Sequence, residues 1–268
     1  MTTIAVLGLG EAGRRYGRDL AASGYHVRGF DPYVQLDDDH VEQVPTVENA
    51  VAGADLVISL VGARAAEKVA RRALPGCPEH AVYADLNTAS PALKRALAQA
   101  AAAEKVAFVD VAVMAPVPRQ GARTPLTASG TGAETFAELL RAAGVPVEAI
   151  PGGAGAAASR KLLRSVFMKG MAALMLECDA AAAAAGQRDW LRAQIVGELA
   201  GDVDQLIDRL IDGSRVHAAR RVHEVEDAAA YLAELGQPAW VMDSTRTWLS
   251  SLVPDDGPVP PTKGNSER

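Results

Sequence analysis

The stretch Thr3-Ile-Ala-Val-Leu7-Gly8-Leu-Gly10-Glu-Ala-Gly13 decides the fold. Its apolar beginning predicts a β-strand over residues 2–7 that ends at Gly8. The glycines form the pattern G-x-G-x-x-G and lead into a predicted helix over residues 11–23. Alone this pattern is weak evidence for dinucleotide binding, because glycine-rich turns are frequent in proteins. Between a strand and a helix, at the start of a βαβ unit, it has the context that dinucleotide binding requires.

Each glycine of this turn has a definite physical role. Gly8 allows the tight turn, Gly10 lets the backbone approach a pyrophosphate, and Gly13 lets the helix lie close to the strand. The free N–H groups and the partial positive charge of the helix N-terminus attract the phosphates. We therefore expect the whole turn to bind the cofactor, namely Gly8, Leu9, Gly10, Glu11, Ala12 and Gly13.

Asp31 follows the second predicted strand, over residues 26–30. Dinucleotide-binding folds place an acidic residue here to accept hydrogen bonds from the adenosine ribose hydroxyls. No Lys or Arg lies between Arg28 and Arg64, whereas residues 37–39 are all Asp. A 2′-phosphate would therefore meet carboxylates without a counter-ion, which favours NAD over NADP. Asp31 could instead be a turn residue at the end of the strand, before Pro32. Residues 37–39 could be metal ligands, although a run of adjacent acidic residues is more typical of a solvated loop.

Strands and helices alternate up to residue 150, which indicates βαβ units. The predicted strands cover residues 55–61, 81–84, 106–110, 126–129 and 145–150, and the predicted helices cover residues 46–52, 63–73, 90–104 and 133–143. The fold class is therefore α/β, with an N-terminal Rossmann-type, doubly wound, largely parallel sheet. Ligands of such sheets bind at the carboxyl ends of the strands. We expect Val61, Asn87 and Thr88 to border the cofactor there, although Asn87 and Thr88 could instead serve only as helix entry.

After Gly155 the sequence contains only helical patterns, predicted over residues 156–185, 188–212, 216–235 and 238–252. The last residues are rich in Pro, Gly and polar side chains, which is typical of disorder. The predicted organisation is a dinucleotide-binding domain over 1–152, an all-α domain for substrate binding and dimerisation over 153–253, and a disordered tail over 254–268. The many Ala, Leu and Met side chains of the helical part predict a homodimer formed through it.

Composition excludes several classes of protein. The net charge of −6 over 268 residues gives no support to nucleic-acid binding. Cys77 and Cys178 have no metal-ligand spacing and suit a reduced compartment, and no zinc motif is present, so we expect no metal. The chain begins without a charged leader and has no uninterrupted apolar run of about 18 residues, so we expect no signal peptide, no membrane segment and a cytoplasmic protein.

A second stretch, from Gly155 to Ser165, contains Lys161 and Arg164. On a helix, Lys161, Arg164 and Ser165 lie on one face, because residues three and four apart are neighbours. This face is either a solvated basic edge or part of an active site. The loop from Met114 to Pro125 follows another strand and carries Arg119 and Arg123, which could hold an acidic substrate or could simply be exposed.

The chain resembles the β-hydroxyacid dehydrogenase and 6-phosphogluconate dehydrogenase-like superfamily, and is most similar to a bacterial branch whose helical C-terminal domain has no assigned function. Asp85-Leu-Asn87-Thr88 is similar to the D-x-S-T loop that the superfamily places beside the nicotinamide, with Asn in place of Ser. Asp110-Val-Ala-Val-Met114-Ala-Pro116 stands where the superfamily has the substrate-binding segment D-A-P-V-S-G-G, and Ser-Gly-Gly is here Met-Ala-Pro.

The superfamily's catalytic segment, G-x-G-x-x-x-K-x-x-N-N, aligns with Gly155 to Ser165. Lys161 is in register, Ala157 replaces the second Gly, and Arg164-Ser165 replace the two Asn. The resemblance implies that Lys161 is the catalytic lysine. The change of Asn to Arg implies a more anionic substrate than acids of the 3-hydroxyisobutyrate type.

These observations predict an NAD-dependent oxidoreductase that acts on a small anionic hydroxy acid or on its keto or semialdehyde counterpart. The expected substrate residues are Met114, Arg119, Arg123, Arg164 and Ser165. One alternative is an imine reductase, although those relatives commonly have Asp or Tyr at the position of Lys161. Another is a regulatory protein that binds NAD without turnover, which the changed Asn, Ser and Gly positions keep open.

Overall fold

A computed structural model describes residues 1–115 and 120–254 of the chain. Arg119 and most of the predicted tail over 254–268 lie outside the described residues. The chain divides into two compact units, Met1–Val166 and Phe167–Arg268. The boundary predicted from the sequence lies between residues 152 and 153, whereas this division falls inside a helix that begins a few residues later.

The first unit is built on a single sheet whose strands are β1 (Thr3–Leu7), β2 (His26–Phe30), β3 (Glu42–Gln43), β4 (Leu56–Ser59), β5 (Val82–Asp85), β6 (Ala107–Val113), β7 (Leu126–Ser129) and β8 (Val147–Ala149). Their order across the sheet is β3-β2-β1-β4-β5-β6-β7-β8. Neighbouring strands are parallel except β6 and β7, in which Asp110 pairs with Ser129 in antiparallel register. The predicted largely parallel sheet is confirmed.

Helices cover both faces of this sheet, namely α1 (Glu11–Ala22), α2 (Val47–Val51), α3 (Ala63–Ala73), α4 (Pro91–Ala103) and α5 (Ala133–Ala142). Side chains alternate along a strand, so Ile4 and Val6 of β1 enter the core beneath α1 and α5. Ala5 and Leu7 enter a second core beneath α2, α3 and α4. The sheet is therefore doubly wound, as the alternating sequence pattern predicts.

The region after residue 155 is all-α, as predicted. Its helices are α6 (Ala156–Ala184), α7 (Arg188–Leu199), α8 (Val203–Val216), α9 (Ala218–Glu234) and α10 (Trp240–Ser250). Within the described part of the chain, no helix has the length and apolarity needed to cross a membrane.

The helix predicted over 188–212 is wrong in its bounds, because the structure has two helices there. Asp202 begins the second one by accepting hydrogen bonds from the N–H groups of Asp204 and Gln205. An N-cap carboxylate of this kind satisfies N–H groups that the first turn leaves free. The predicted helix was ended at residue 212 because Gly213 follows it, but Gly213 lies inside α8, which continues to Val216.

Candidate active site

The glycine-rich turn has the geometry that a dinucleotide requires. Gly8 has a φ of 91°, and a Cβ atom there would lie 2.5 Å from the carbonyl oxygen of Leu60. A Cβ atom on Gly13 would lie 1.8 Å from the carbonyl oxygen of Gly8. Gly10, by contrast, has open space within 4 Å of its Cβ position. Two glycines thus allow close packing, and the third leaves room for a ligand.

The N-terminus of α1 opens onto this space. Gly10 is its N-cap residue and has no side chain, so no side chain in the described part of the chain caps the first N–H groups of α1. Glu11 is exposed, Ala12 is half-buried, and Leu9 is fully buried in the core. The turn therefore fits a pyrophosphate bound at a helix N-terminus.

Asp31 ties the glycine-rich turn to the loop that follows β2. Its carboxylate accepts hydrogen bonds from the N–H groups of Leu9 (2.8 Å), Tyr33 (2.8 Å) and Val34 (3.1 Å). A carboxylate has about four acceptor positions, so about one remains for a ribose hydroxyl. Asp31 therefore lies where the sequence pattern places it, and it also holds the local backbone.

Arginines near this loop contradict the premise that a 2′-phosphate would find no counter-ion. Arg14, Arg15 and Arg18 of α1 line a cavity of about 500 Å³ together with the loop over 34–38. Arg18 is paired with Asp38 at 2.9 Å; the backbone N–H of His40, and then Arg18, lower the pKa of that carboxyl. The prediction that a 2′-phosphate has no counter-ion rested on the residues after Arg28, whereas these three arginines precede Arg28 in the sequence.

Asn87 is buried, and its side-chain oxygen and nitrogen both form hydrogen bonds within the protein. Its Oδ1 accepts a hydrogen bond from the N–H of Gly62 (2.7 Å), and its Nδ2 donates to Ser59 Oγ (2.9 Å) and to Asp85 Oδ1. Asn87 therefore joins the loop after β4 to the loop after β5. The neighbouring Val61, also expected near the cofactor, is half-buried against the core beneath α3.

Thr88 and Lys161 meet at the carboxyl end of β5. Lys161 Nζ donates a hydrogen bond of 3.0 Å to Thr88 Oγ1. Burial, and secondly the nearby Lys94 ammonium, lower the pKa of Lys161, while the Asp110 carboxylate raises it. These residues line a small cleft of about 10 Å³, which is about the space of one water molecule.

Behind Lys161 lies a buried ion cluster that sequence reasoning missed. Lys94 Nζ lies 3.1 Å from Asp85 Oδ2 and 3.2 Å from Asp110 Oδ1, and all three side chains are at most 1% exposed. Asp110 Oδ2 also accepts hydrogen bonds from the N–H groups of Gly155 (3.0 Å) and Ala158 (2.9 Å), and so caps α6. One signal was present in the sequence: Lys94 shares a helix face with Leu97 and Ala101, both of which are buried.

The other predicted substrate residues separate into two groups. Met114 packs with Ile150 and Ala156 near the start of α6, Ser165 is half-buried one turn beyond Lys161, and Arg164 is exposed. Arg123 is exposed and lines a different cavity, together with Asp19 and Ser23 of the α1 region. The structure therefore does not bring Arg123 to Lys161.

Comparison with known proteins identifies the family of this chain. Residues 3–145 match the NAD binding domain of 6-phosphogluconate dehydrogenase. The chain belongs to this 6-phosphogluconate dehydrogenase-like family. Residues 182–252 match a domain of unknown function, DUF1932. Both the superfamily resemblance and the C-terminal domain without an assigned function are thus confirmed, and the first unit carries an NAD(P)-binding fold.

Similar proteins give the family its context. An uncharacterized 28.5 kDa protein of Methanothermus fervidus is 33% identical over 180 residues, which cover 66% of this chain and 68% of that one. A solved structure of a conserved protein, reported as similar to 3-hydroxyacid dehydrogenases, is 28% identical, with a TM-score of 0.64 and coverage of 93% and 97%. An imine reductase from Myxococcus stipitatus, solved with NADP+, is 18% identical, with a TM-score of 0.78 and coverage of 94% and 93%, and shares the fold.

The glycine-rich turn yields a prediction with a matched control. Gly13→Ala forces the backbones of α1 and the turn apart, so it should lower the free energy of unfolding by at least about 1–3 kcal/mol, as overpacking does. Gly10→Ala has space for its methyl group, so its stability should stay near wild type while its affinity for NADH falls. Urea unfolding and fluorescence titration measure the two effects. Wild-type NADH affinity in Gly10→Ala would show that the pyrophosphate lies elsewhere.

Proposed function

We propose that the protein is an NAD-dependent oxidoreductase that acts on a small anionic hydroxy acid, or on its keto or semialdehyde counterpart, with Lys161 as general acid and base. One observation carries this proposal: an amine with a lowered pKa is hydrogen-bonded to Thr88 at the carboxyl edge of the sheet. Ligands of open α/β sheets bind at that edge. A perturbed pKa beside a cleft is typical of catalytic groups.

The residues that would hold the cofactor follow from the turn geometry. The N–H groups at the start of α1 and the open space at Gly10 suit the pyrophosphate, and the free acceptor position of Asp31 suits a ribose hydroxyl. A bound nicotinamide supplies the hydride chemistry. We infer a preference for NAD from the Asp31 carboxylate, which repels a 2′-phosphate.

Lys161 can act in either direction of the reaction. Its neutral amine accepts the proton of a substrate hydroxyl during oxidation, and its ammonium donates a proton to a carbonyl oxygen during reduction. A lowered pKa brings both protonation states closer to the working pH, which is where acid–base catalysis is most effective. The hydrogen bond to Thr88 directs the amine towards the cleft.

The substrate class follows from the side chains next to Lys161. Arg164 is one turn further along the helix, and a guanidinium binds a carboxylate or phosphate through two parallel hydrogen bonds. Ser165 can add a hydroxyl donor, and Met114 provides an apolar wall near the start of α6. A small anion with a short carbon chain therefore suits this set of side chains best.

One experiment distinguishes the proposed function from two others. The fold shared with an imine reductase makes imine reduction the second enzymatic candidate. The third is NAD binding without turnover, because Arg164-Ser165 replace residues that the superfamily uses in catalysis. A panel of hydroxy acids and imines with NAD(H) and NADP(H), followed by nicotinamide absorbance, separates all three. Turnover of hydroxy acids but not of imines supports our proposal, and tight NAD binding without any turnover contradicts it.

We further infer that residues 153–253 form a substrate and dimerisation domain. The second unit exposes many large apolar side chains, and α8 carries a stripe of them at helical spacing. These are Val203, Ile207, Leu210 and Ile211, each about half exposed. Exposed apolar surface of this extent marks an interface, and we propose a second copy of the chain as its partner.

Lys161→Ala is expected to lower kcat by about 10²–10⁴-fold, which is the usual contribution of positioned acid–base catalysis. Cofactor affinity should stay near wild type, because the glycine-rich turn is unchanged. Lys161→Arg should be almost as inactive, because a guanidinium does not exchange its proton in this pH range. Steady-state kinetics and NADH titration measure both parameters. The control is Lys169→Ala, and if that variant instead abolishes activity, Lys169 is the catalytic lysine.

Asp31→Ser is expected to weaken NAD binding and to narrow the preference for NAD over NADP, because the charge that repels a 2′-phosphate is lost. Asp31→Asn is the comparison variant: it removes the charge and keeps an acceptor oxygen for the Leu9 N–H, but its NH2 group faces the N–H groups of Tyr33 and Val34. The ratio of kcat/KM for the two cofactors measures the preference. A wild-type enzyme that prefers NADP, with Arg14 and Arg15 as the counter-ions, would refute this prediction.

Ile207→Glu is expected to convert the dimer to a monomer, because it places a charge in the apolar stripe of α8. The side chain is half exposed in the single chain, so the fold of the variant should persist. Light scattering at micromolar concentration measures the mass, and circular dichroism checks the fold. Asp208→Ala, on the same helix, is the control and should remain dimeric. A wild-type protein with the mass of one chain would contradict the assembly.

A further inference from the structure

Among the described residues of the first unit, Lys94 is the most buried cation, and it has no direct place in the proposed reaction. It lies on α4, and its side chain is 1% exposed. Its Nζ donates a hydrogen bond of 2.7 Å to the carbonyl oxygen of Asp85. The carboxylates of Asp85 and Asp110 lie at ion-pair distance on either side. A buried ammonium is expensive unless it is paired in this way.

N–H groups engage one oxygen of each carboxylate in this cluster. Asp110 Oδ2 accepts the N–H groups at the start of α6, and Asp85 Oδ1 accepts the backbone and side-chain N–H groups of Asn87. The remaining oxygens, Asp85 Oδ2 and Asp110 Oδ1, have no aligned hydrogen-bond donor in the described residues. Their contact there is the Lys94 ammonium, at 3.1 and 3.2 Å.

Lys161 lines the same cleft as Lys94 and Asp110, yet its hydrogen bond goes to a neutral hydroxyl. We propose that Lys94 is a positioning residue: by occupying Asp85 and Asp110 it denies Lys161 a carboxylate partner and leaves the Lys161 amine on Thr88. This inference rests on the proposed role of Lys161 in proton transfer. In this role Lys94 keeps the Lys161 amine able to gain and lose a proton.

The charges around Lys161 support this role. Lys94 on α4 lowers the pKa of Lys161, and Asp110 on β6 raises it. Asp85 on β5 lies behind Lys94 and is paired with it. On the helix of Lys161 itself, Arg160 is paired with Glu148 of β8 at 3.3 Å, and Arg164 is exposed. Without Lys94, Asp110 would be the uncompensated carboxylate of the cleft, and it would hold Lys161 as a paired ammonium.

Two double variants test the proposal with the same change in charge. Lys94→Met/Asp85→Asn removes one charge of each sign and leaves Asp110 without a cation. Lys94→Met/Asp110→Asn removes the same charges but leaves Lys161 no carboxylate partner at Asp110. Removing Lys94 alone would strand two buried carboxylates, which is strongly destabilising. If the first double variant does not fold, Asp110→Asn alone replaces it: Lys94 stays paired with Asp85, and the pKa of Lys161 should fall because the carboxylate that raises it is lost. An unchanged pKa in that variant overturns the proposal.

The protonation of Lys161 can be measured without turnover. Reductive methylation with ¹³C-formaldehyde labels the accessible lysines among the six in the chain, and the NMR shift of each label reports its pKa. The signal of Lys161 is the one that disappears in Lys161→Arg. Lys105, an exposed lysine paired with Glu79, is the internal control, and its pKa should be the same in every variant.

The expected result is a rise in the pKa of Lys161 of about one pH unit or more in Lys94→Met/Asp85→Asn, since an opposite charge at close range has effects of that size. In Lys94→Met/Asp110→Asn the pKa should stay within about half a pH unit of wild type, because a lowering and a raising charge are removed together. An unchanged pKa in the first variant, or an equal rise in both, overturns the proposal.

The pH dependence of the rate separates this inference from the proposed function. If Lys161 is the general base, the pH at which oxidation reaches its plateau moves upwards with the NMR pKa in Lys94→Met/Asp85→Asn. An NMR shift with an unchanged rate profile supports the role of Lys94 and refutes Lys161 as the base. A shift in neither measurement refutes the role of Lys94 and leaves the kinetics of Lys161→Ala to decide the function.

Discussion

The carboxyl edge of the sheet depends on the buried contact between the Lys94 ammonium and the carboxylates of Asp85 and Asp110. This contact joins α4, β5 and β6, and through the cap that Asp110 forms it also fixes the start of α6. Removing one partner of a buried ion pair typically costs about 3–5 kcal/mol. The cluster therefore requires all three residues together, and the position of Lys161 follows from where it places α6.

The departures from the superfamily pattern have structural explanations at this edge. Asn87, where the superfamily has Ser, bridges Ser59, Gly62 and Asp85, which requires both an acceptor and two donors on one side chain. Met114, where the superfamily has Ser, joins an apolar cluster with Ile150 and Ala156. The first departure stiffens the loop beside Thr88, and the second makes the wall near α6 apolar. Both change the site without removing the Lys161 amine.

Local patterns predicted most of the fold because they depend on neighbours in sequence. The bounds of β2, α3 and β7 agree with the predicted ranges, and the other predicted elements of the first unit differ by a few residues. The two-residue β3 was missed, since Glu42 and Gln43 have no apolar pattern. The helix break at Asp202 was missed because a glycine, here Gly213, is a more common sign of a helix end than an aspartate. Lys94 was missed because a lysine in an Ala-rich helix is ordinarily exposed.

By itself the sequence determined the glycine-rich turn, the doubly wound sheet and the helix that carries Lys161, because steric demand and side-chain periodicity act over a few residues. Only the tertiary structure decided which charges face one another. In the structure, Arg14, Arg15 and Arg18 lie beside the loop after Asp31, and Arg123 lines a different cavity from the one beside Lys161. Lys94 lies between two carboxylates. Coulomb energies and desolvation depend on distances in space. The lowered pKa of Lys161 therefore depends on the folded chain: burial is its first cause, and the ammonium of Lys94, distant in sequence, is its second.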